Sequence, residues 1–420
     1  MTGFRGIILF AAFMFMLPFA RAAPSMQGQY LRSIQGVLAN LGENGAVVAS
    51  PSRSDPDYFY HWARDAALTM KAIADLAYDA ATPASLRSEL LKRLDRWLVW
   101  ESNLQLQQKL TGLGEPRFNL DGTTNVAPWG RPQNDGPALR AVTAIKVAQE
   151  WIREGRIAEV RQRLYAPVLP ANTLIKRDLE YVAHHWRDQS IDLWEEERGL
   201  HYYTLVAQKS ALKKGAALAR VLDDPAAGDF YELQSQQIES FLRQFYDPVS
   251  GILRYAIEKS GSLPHKRSPL DVSVILAAIQ TYDGGFEMDP GPVVATLRAL
   301  IAEFLVRYPV NQNPVPALGP ALGRYPEDIY DGAGFSGGNP WFLSTLAAAE
   351  LYCDLARSGR YTRKVASDFA LPQFQRVLRH LNEAGDMSEQ FSRTTGFETG
   401  ARHLTWSYVA YITAYRACFL

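Results

Sequence analysis

Apolar residues recur along most of this chain at steps of three and four, the spacing of one face of an α-helix. One run continues from Trp62 through Ala66 and Met70 to Leu76, and another closes the chain from Leu404 to Phe419. Strand-like alternation is scarce. The pattern predicts an all-α protein with twelve helices, over residues 26–41, 64–80, 83–109, 135–154, 172–188, 202–221, 229–246, 268–282, 291–307, 340–358, 361–383 and 403–419.

Two helix starts carry a strong local signal. Asp135 precedes Gly136-Pro137, and Asn339 precedes Pro340, so each site pairs a capping residue type with a proline in the first turn. The sequence therefore predicts that Asp135 and Asn339 cap the helices that follow them.

Long and short connections alternate between the predicted helices. The connections that leave odd-numbered helices are rich in glycine, proline and aromatic residues, and they cover residues 42–63, 110–134, 189–201, 247–267, 308–339 and 384–402. The even-to-odd connections are short, except for residues 155–171. If consecutive helices run antiparallel, as short connections favour, the six long loops lie at one end. The expected fold is an (α/α)6 barrel with a funnel-shaped pocket at the loop end.

The N-terminal segment has the layout of a cleavable signal peptide. Arg5 precedes an apolar run from Ile7 to Ala20, and the small-x-small triplet Ala20-Arg21-Ala22 follows. A membrane anchor is the alternative, but the run is shorter than the roughly 20 residues that span a bilayer. The sequence thus predicts a signal peptide over 1–22 and a secreted protein, extracellular or periplasmic.

Residues 23–420 are expected to form a single (α/α)6 barrel domain. Removing residues 1–22 takes away two arginines and no acidic residue, so the formal charge changes from 0 to −2, which argues against nucleic acid or anionic membranes as partners. The two cysteines, Cys353 and Cys418, allow one disulfide. Histidine and cysteine spacings give no metal site. We expect a monomer without metal or cofactor.

Candidate chemistry lies in two acidic clusters, Asp192–Glu196 and Asp386–Gln390. Hydrolysis of a glycosidic bond needs one carboxylic acid to protonate the leaving oxygen and a second carboxylate to activate water or attack directly. Each cluster alone is also compatible with a solvated helix face. Both clusters fall at the predicted loop end, where function concentrates.

Three further groups in the long loops suit sugar binding, and each has a structural alternative. Arg64-Asp65 offers a donor fork beside an acceptor for sugar hydroxyls, although Asp65 could instead cap a helix. Trp129 could stack on a sugar face or belong to the core. Arg324 lies in Gly323–Tyr330 and could bind substrate or form a structural Arg–Glu pair.

The sequence resembles the fungal-type glucoamylases of glycoside hydrolase family 15. The resemblance covers roughly residues 26 to 419, and the string from Gly130 to Arg140 is highly specific. The matching stretches are Ser50–Asp65, Gly114–Asn119, Trp129–Arg140, Asp192–Glu196 with Gln208, Arg324–Tyr330 with Asn339–Phe342, and Met387–Gln390 with Arg402–Tyr408.

The resemblance implies an (α/α)6 barrel enzyme that releases glucose with inversion from the non-reducing ends of starch, glycogen or malto-oligosaccharides. It implies that Glu195 is the general acid and Glu389 the general base. Arg64 and Asp65 match the pair that grips the terminal glucose, and Leu193 contributes through its backbone. The remaining implied substrate-binding residues are Arg324 and Glu196, which bridge two sugars, and Tyr58, Trp62, Trp129, Trp194, Tyr330, Trp341, Gln390 and Trp406.

The two roles predict different environments for the two carboxyl groups. An acid beside indoles is desolvated and should have a raised pKa, whereas a base that faces water should stay ionised. For an inverting enzyme the two carboxyl groups should stand roughly 6.5–9.5 Å apart, against roughly 5–5.5 Å for a retaining one.

This chain also departs from the family pattern. Residues 331–338 form a glycine-rich insertion after Tyr330, and the starch-binding domain and linker of many fungal relatives have no counterpart, which puts action on insoluble starch in doubt. Other readings stay open at this point: an enzyme acting on α-1,6-linked dextran or short α-glucosides, or a non-catalytic sugar-binding protein.

Overall fold

The computed structural model describes residues 25–261, 263–312 and 318–420, so the predicted signal peptide lies outside the described residues. All twelve predicted helices are present. Two additional short helices, α5 and α11, lie in connections. The helices of the described residues are α1 (Met26–Ala39), α2 (Ala63–Ala77), α3 (Ala84–Leu104), α4 (Asp135–Arg153), α5 (Ile157–Arg163), α6 (Leu174–His185), α7 (Tyr202–Val221), α8 (Pro225–Leu242), α9 (Ser273–Gln280), α10 (Gly291–Arg307), α11 (Pro309–Gln312), α12 (Phe342–Arg357), α13 (Arg363–His380) and α14 (Thr405–Phe419).

The helices form two concentric rings. The inner ring contains α2, α4, α7, α9, α12 and α14, each packed on the next, and α14 packs on α2 to close it. The outer helices α3, α6, α8, α10 and α13 each pack on the inner helix that precedes them, whereas α1 packs on α14. The architecture is the predicted (α/α)6 barrel.

Small side chains allow the two rings to approach closely. The inner helices are buried around most of their circumference, and α12 carries the run Ala347-Ala348-Ala349, which is almost fully buried. On α7, a Cβ at Gly215 would lie 2.5 Å from the Leu179 side chain of α6. A helix that is buried around most of its circumference belongs in the interior of a fold, which agrees with the inner position of these six helices.

Seven short strands lie in the long loops of the described residues. They are β1 (His61–Trp62), β2 (Arg117–Phe118), β3 (Ser190–Ile191), β4 (Arg198–His201), β5 (Ala256–Ser260), β6 (Gln390–Phe391) and β7 (Glu398–Thr399). All pairings are antiparallel, in the orders β1-β2, β3-β4-β5 and β6-β7. Five of these seven strands have only two residues, too few to show the alternation that predicts a strand.

Backbone hydrogen bonds join the six long loops in a continuous circle. The first loop meets the second through β1 and β2, and the third meets the fourth through β4 and β5. The other links are Ile191 N to Pro132 O, Val272 N to Arg324 O, Phe391 N to Pro340 O and Thr405 N to Ala49 O, with N···O distances of 2.8–3.0 Å. The six loops therefore share one end of the barrel, as the alternation of connections predicts.

The two predicted helix caps are wrong. The residue before α4 is Asn134, and Asp135 directs its carboxylate to Arg64, with Nη1 3.0 Å from Oδ2. Asn339 lies three residues before α12, and its side-chain nitrogen donates to Asp331 O at 3.1 Å. In both cases the side chain that was expected to cap a helix instead forms a hydrogen bond to a residue of another segment.

A disulfide joins Cys353 of α12 to Cys418 of α14, which settles the pairing that the sequence left open. Of the helices within the described ranges, none has both the length and the apolar character needed to cross a bilayer.

The disulfide should stabilise the C-terminal helix on the barrel. The cysteines are 65 residues apart, and disulfides typically contribute about 2–4 kcal/mol. We expect Cys353→Ser/Cys418→Ser to lower the free energy of unfolding by about this amount, measured by urea denaturation. Reducing agent should lower the stability of the wild type and leave the double variant unchanged. Equal stability of both proteins in oxidising buffer would contradict a stabilising role.

Candidate active site

The loop end of the barrel contains a pocket of about 320 Å³, within the roughly 300–1,000 Å³ typical of small-molecule sites. Fourteen of the fifteen residues predicted for the site line this pocket. They are Tyr58, Trp62, Arg64, Asp65, Trp129, Leu193, Trp194, Glu195, Glu196, Arg324, Tyr330, Trp341, Glu389 and Trp406. The lining also includes Ala49, Gly130, Phe335 and Leu404.

Arg64 and Asp65, from the first turn of α2, lie at the buried end of the pocket. The Arg64 Nη1 donates to Gln133 Oε1 at 2.8 Å and to Asp135 Oδ2 at 3.0 Å. Burial opposes the positive charge, but the carboxylates of Asp135, Asp65 and Glu195 outweigh it and raise the pKa of Arg64. The guanidinium is therefore a fixed cation at the floor.

The Asp65 carboxylate faces the pocket beside this cation, 3.6 Å from Arg64 Nε. Burial raises the pKa of Asp65 to about 6, and the charge of Arg64 opposes the rise. The alternative that Asp65 caps α2 does not hold within the described residues, because the capping position is Trp62 and no side chain caps that end.

Glu195 sits in a tight turn between β3 and β4 and has a backbone φ of 68°, a left-handed conformation that is uncommon for a residue with a side chain. Asp192 holds the turn, because its Oδ1 accepts from the backbone N–H of Glu196 at 2.7 Å and of Glu197 at 3.0 Å. The Glu195 Oε1 accepts from Trp62 Nε1 at 2.7 Å and from Gln133 Nε2 at 2.9 Å. The second carboxyl oxygen, Oε2, has no hydrogen-bond partner among the described residues.

Glu196 points to the neighbouring wall. Arg324 Nη2 donates to Glu196 Oε1 at 2.8 Å, and the Tyr325 hydroxyl donates to Oε2 at 2.8 Å. Burial raises the pKa of Glu196, and the charge of Arg324 opposes it. Arg324 also pairs with Asp328 through Nε and Nη2, whereas Glu327 accepts from Ser268. Arg324 is therefore both a structural partner of Asp328 and part of the pocket wall.

Glu389 borders the pocket, although its side chain is fully buried. Its Oε2 accepts from the Tyr330 hydroxyl at 3.2 Å, and the Tyr330 and Tyr58 hydroxyls are 3.2 Å apart. The Oε1 atom is buried and has no partner within the part of the chain that is described. Gly400, with a φ of 76°, packs so closely against Oε2 that a Cβ would clash with it.

Glu389 was expected to face water and stay ionised, but its side chain is fully buried. Burial raises its pKa to about 8, although the charge of Arg324 and the neighbouring Tyr58 and Tyr330 hydroxyls oppose the rise. The sequence places Glu389 on the loop face but does not reveal that neighbouring loops enclose it and remove its solvation.

Aromatic rings form the rest of the wall. Trp194 and Trp406 stack with centroids 6.1 Å apart, and the Trp194 indole donates to Asp271 Oδ1 at 2.9 Å. Trp129 is half-buried at the rim under the guanidinium of Arg117, 3.6 Å from the ring centroid, and so is not a core tryptophan.

Gln390 does not line the pocket, in contrast to the implied role. It is fully buried, and its amide lies beside Asn339 at 3.1 Å and Glu389 at 3.5 Å. Sequence reasoning in turn assigned no role to Gln133 or Asp192, which hold Glu195. Both lay inside matched stretches, and the signal that could have found Asp192 is its residue type, because aspartate side chains often accept hydrogen bonds from the backbone of a following turn.

In the described portion of the chain, no group of three or more histidine, cysteine or acidic side chains is placed to hold a metal ion. The helix pairs form a closed ring, and the carboxyl groups of Glu195 and Glu389 line the same pocket at its loop end. These features define the class: glycoside hydrolases built on an (α/α)6 barrel. The sequence profile of glycosyl hydrolases family 15 matches residues 25–416, and the chain belongs to this family.

Relatives agree over nearly the whole chain. A probable glucoamylase of Schizosaccharomyces pombe is 35% identical over 90% of this chain and 88% of its own length. An intracellular, sporulation-specific glucoamylase of Saccharomyces cerevisiae is 30% identical over 93% of this chain and 83% of its own. Among solved structures, a Saccharomycopsis fibuligera glucoamylase superposes with a TM-score of 0.81 at 28% identity and covers 94% of both chains. A family 15 glucoamylase of Hypocrea jecorina gives 0.81 at 29% identity, over 94% of this chain and 72% of that one.

The buried carboxyl group of Glu389 should make stability depend on pH. Its pKa of about 8 in the folded protein exceeds the ordinary value of 4.5, so folding favours the protonated form. The stabilisation is complete below about pH 4.5 and is lost as the pH rises through about 8. Glu389→Gln cannot ionise. We expect its melting temperature to exceed that of the wild type at pH 9 by on the order of 5 °C more than at pH 4.5.

The matched control is Glu383→Gln, which changes an exposed glutamate and should show no such pH-dependent difference. Melting curves at several pH values measure both. A Glu389→Gln increment that is constant from pH 4.5 to pH 9 would show that this carboxyl group is not desolvated in the folded protein.

Proposed function

We propose that the protein is an inverting, exo-acting glucoamylase, a glucan 1,4-α-glucosidase. It hydrolyses α-1,4 bonds, and α-1,6 bonds more slowly, at the non-reducing ends of starch, glycogen or malto-oligosaccharides. The observation that carries the proposal is the arrangement of Glu195 and Glu389, which enter one pocket from different loops and, in the described residues, share no hydrogen-bond partner.

Glu195 is suited to act as the general acid. Two N–H donors, from Trp62 and Gln133, hold Oε1 and fix the orientation of the carboxyl group. The proton is therefore carried by Oε2, the oxygen left free for the substrate. Glu195 Oε2–H protonates the glycosidic oxygen as the bond from that oxygen to the anomeric carbon breaks.

Glu389 is suited to act as the general base in its ionised form. The Tyr330 hydroxyl donates to Oε2, which leaves the buried Oε1 to accept a proton from the attacking water. Water attacks the anomeric carbon from the side opposite the leaving oxygen, and its proton passes to Glu389. A single displacement inverts the configuration, so the first product is β-glucose.

Arg64 and Asp65 would hold the outer hydroxyls of the terminal glucosyl unit. Because the floor is closed by these two buried charges, a chain cannot continue past it, and single glucose units are released. Arg324 and Glu196 would contact the first two units from the wall, and Leu193 would contribute through its backbone.

We further propose that residues 23–420 act as one catalytic domain, exported as a monomer after removal of residues 1–22. The signal-like N-terminal sequence and the disulfide between Cys353 and Cys418 support an oxidising compartment.

Glucose release from maltose, maltoheptaose, isomaltose and dextran tests the function, with proton NMR of the fresh product for the anomer. We expect β-glucose, faster release from the α-1,4 substrates, and a loss of at least about 10²-fold in kcat for Glu195→Gln and for Glu389→Gln. Faster hydrolysis of dextran would favour the glucodextranase-like alternative, and α-glucose would indicate a retaining mechanism. Binding without any hydrolysis would indicate a non-catalytic sugar-binding protein.

Asp65→Ala tests the closed floor. Loss of the carboxylate leaves a substrate hydroxyl unpaired in the pocket, which costs about 1–3 kcal/mol, or about 5- to 150-fold in kcat/KM. The melting temperature should not fall, because Asp65 is a buried, partly desolvated acid. Asp368→Ala, on the outer helix α13, is the control and should leave both quantities unchanged. A collapsed melting temperature with normal activity per folded molecule would assign Asp65 a structural role instead.

A further inference from the structure

Phe335 is the most solvent-exposed residue of the pocket lining, with 75% of its surface accessible. It lies in the glycine-rich insertion 331–338 and therefore marks the mouth, whereas Arg64 and Asp65 mark the floor. Single exposed apolar side chains are common on protein surfaces, so the exposure of this ring alone assigns it no role. Its position in the lining of the pocket is what distinguishes Phe335 from other exposed aromatic residues.

The turn that carries Phe335 is well ordered by its own hydrogen bonds. The Asp331 carboxylate accepts from the backbone N–H of Ala333 at 3.1 Å, of Gly334 at 2.6 Å and of Ser336 at 3.2 Å. Gly337 N also donates to Ile329 O at 2.9 Å. The phenyl ring is thus presented by a turn whose shape is fixed before a ligand binds, which reduces the entropic cost of binding.

The insertion 331–338 also packs directly on the loop that carries Glu389. A Cβ at Gly332, whose φ is 97°, would lie 2.7 Å from the Cα of Gly400, and Gly400 in turn packs on Glu389. Gly337 packs against the guanidinium of Arg393 in the same neighbouring loop. These contacts fix the position of the turn relative to the site of bond cleavage.

Neighbouring aromatic rings connect Phe335 to the floor in a continuous series. Centroid distances are 6.4 Å from Phe335 to Tyr330, 6.3 Å from Tyr330 to Trp341, 5.6 Å from Trp341 to Trp194 and 6.1 Å from Trp194 to Trp406. Trp406 lies 5.9 Å from the Arg64 guanidinium. An α-glucan that enters the pocket would pass along this series.

We propose that Phe335 is a stacking platform for a glucosyl unit beyond the first two, and that it gives the enzyme a preference for longer malto-oligosaccharides. This inference rests on the proposed function. The sugar ring presents an apolar face of C–H groups, and the phenyl ring supplies the complementary apolar surface. The binding is equally present in the ground and transition states, so its loss should raise KM rather than lower kcat.

The test compares kcat and KM on maltose, maltotriose and maltoheptaose for the wild type, Phe335→Ala and Phe335→Trp. For Phe335→Ala we expect KM for maltoheptaose to rise about 3- to 10-fold, because the stacking contact between the phenyl ring and the sugar ring is lost. The kcat on maltoheptaose and both constants on maltose should change less than about 2-fold. Phe335→Trp should restore the KM for maltoheptaose.

Phe397 offers a matched control, because it is an equally exposed phenylalanine of the adjacent loop, 78% accessible, and does not line the pocket. Phe397→Ala should leave KM for every substrate unchanged. A second readout is calorimetric titration of maltoheptaose into Glu389→Gln and into Glu389→Gln/Phe335→Ala, where the double variant should bind about 3- to 10-fold more weakly.

An equal loss on maltose and maltoheptaose, an unchanged KM for Phe335→Ala, or the same effect from Phe397→Ala would each overturn the inference. A wild type that hydrolyses none of these substrates would instead remove the proposed function.

Discussion

Closure of the inner helix ring is the constraint on which the rest of this molecule depends. Because α14 packs on α2, the N-terminal ends of the six inner helices converge, and so do the long loops that precede them. Hydrogen bonds then pass from loop to loop around the whole circle. The loops leave only a pocket between them, and residues from all six loops line it or hold its lining in place.

Several residues of the pocket have unfavourable conformations or environments, and the packing of the barrel compensates for their cost in free energy. Glu195 adopts a left-handed backbone conformation, which costs on the order of 1–3 kcal/mol. Glu389 and Asp65 lose solvation, and their pKa values rise to about 8 and about 6. Large buried surfaces between the helix rings outweigh these costs. The residues with these unfavourable features are the ones proposed to transfer protons and to bind the terminal sugar. Such a coincidence is common at functional sites.

Local sequence predicted the helices well because the inner and outer rings both need apolar residues at helical spacing. The prediction failed where a tertiary partner competes for a side chain. Asp135 and Asn339 have the residue types of helix caps, yet Arg64 takes the first and Asp331 takes the second. The family resemblance placed Gln390 in the pocket, but successive residues of extended backbone point to opposite sides, and Gln390 is buried beside Asn339 outside the pocket lining.

The sequence by itself determined the order of the twelve barrel helices, the alternation of loop lengths that implies a barrel, and the residue types in the pocket, because periodicity and motif are properties of neighbours along the chain. Only the tertiary structure decided which oxygen of Glu195 is held and which is left free, how far Glu389 is desolvated, and that Phe335 stands at the mouth. These features depend on contacts between loops that are distant in sequence, and an electrostatic environment is the sum of such contacts.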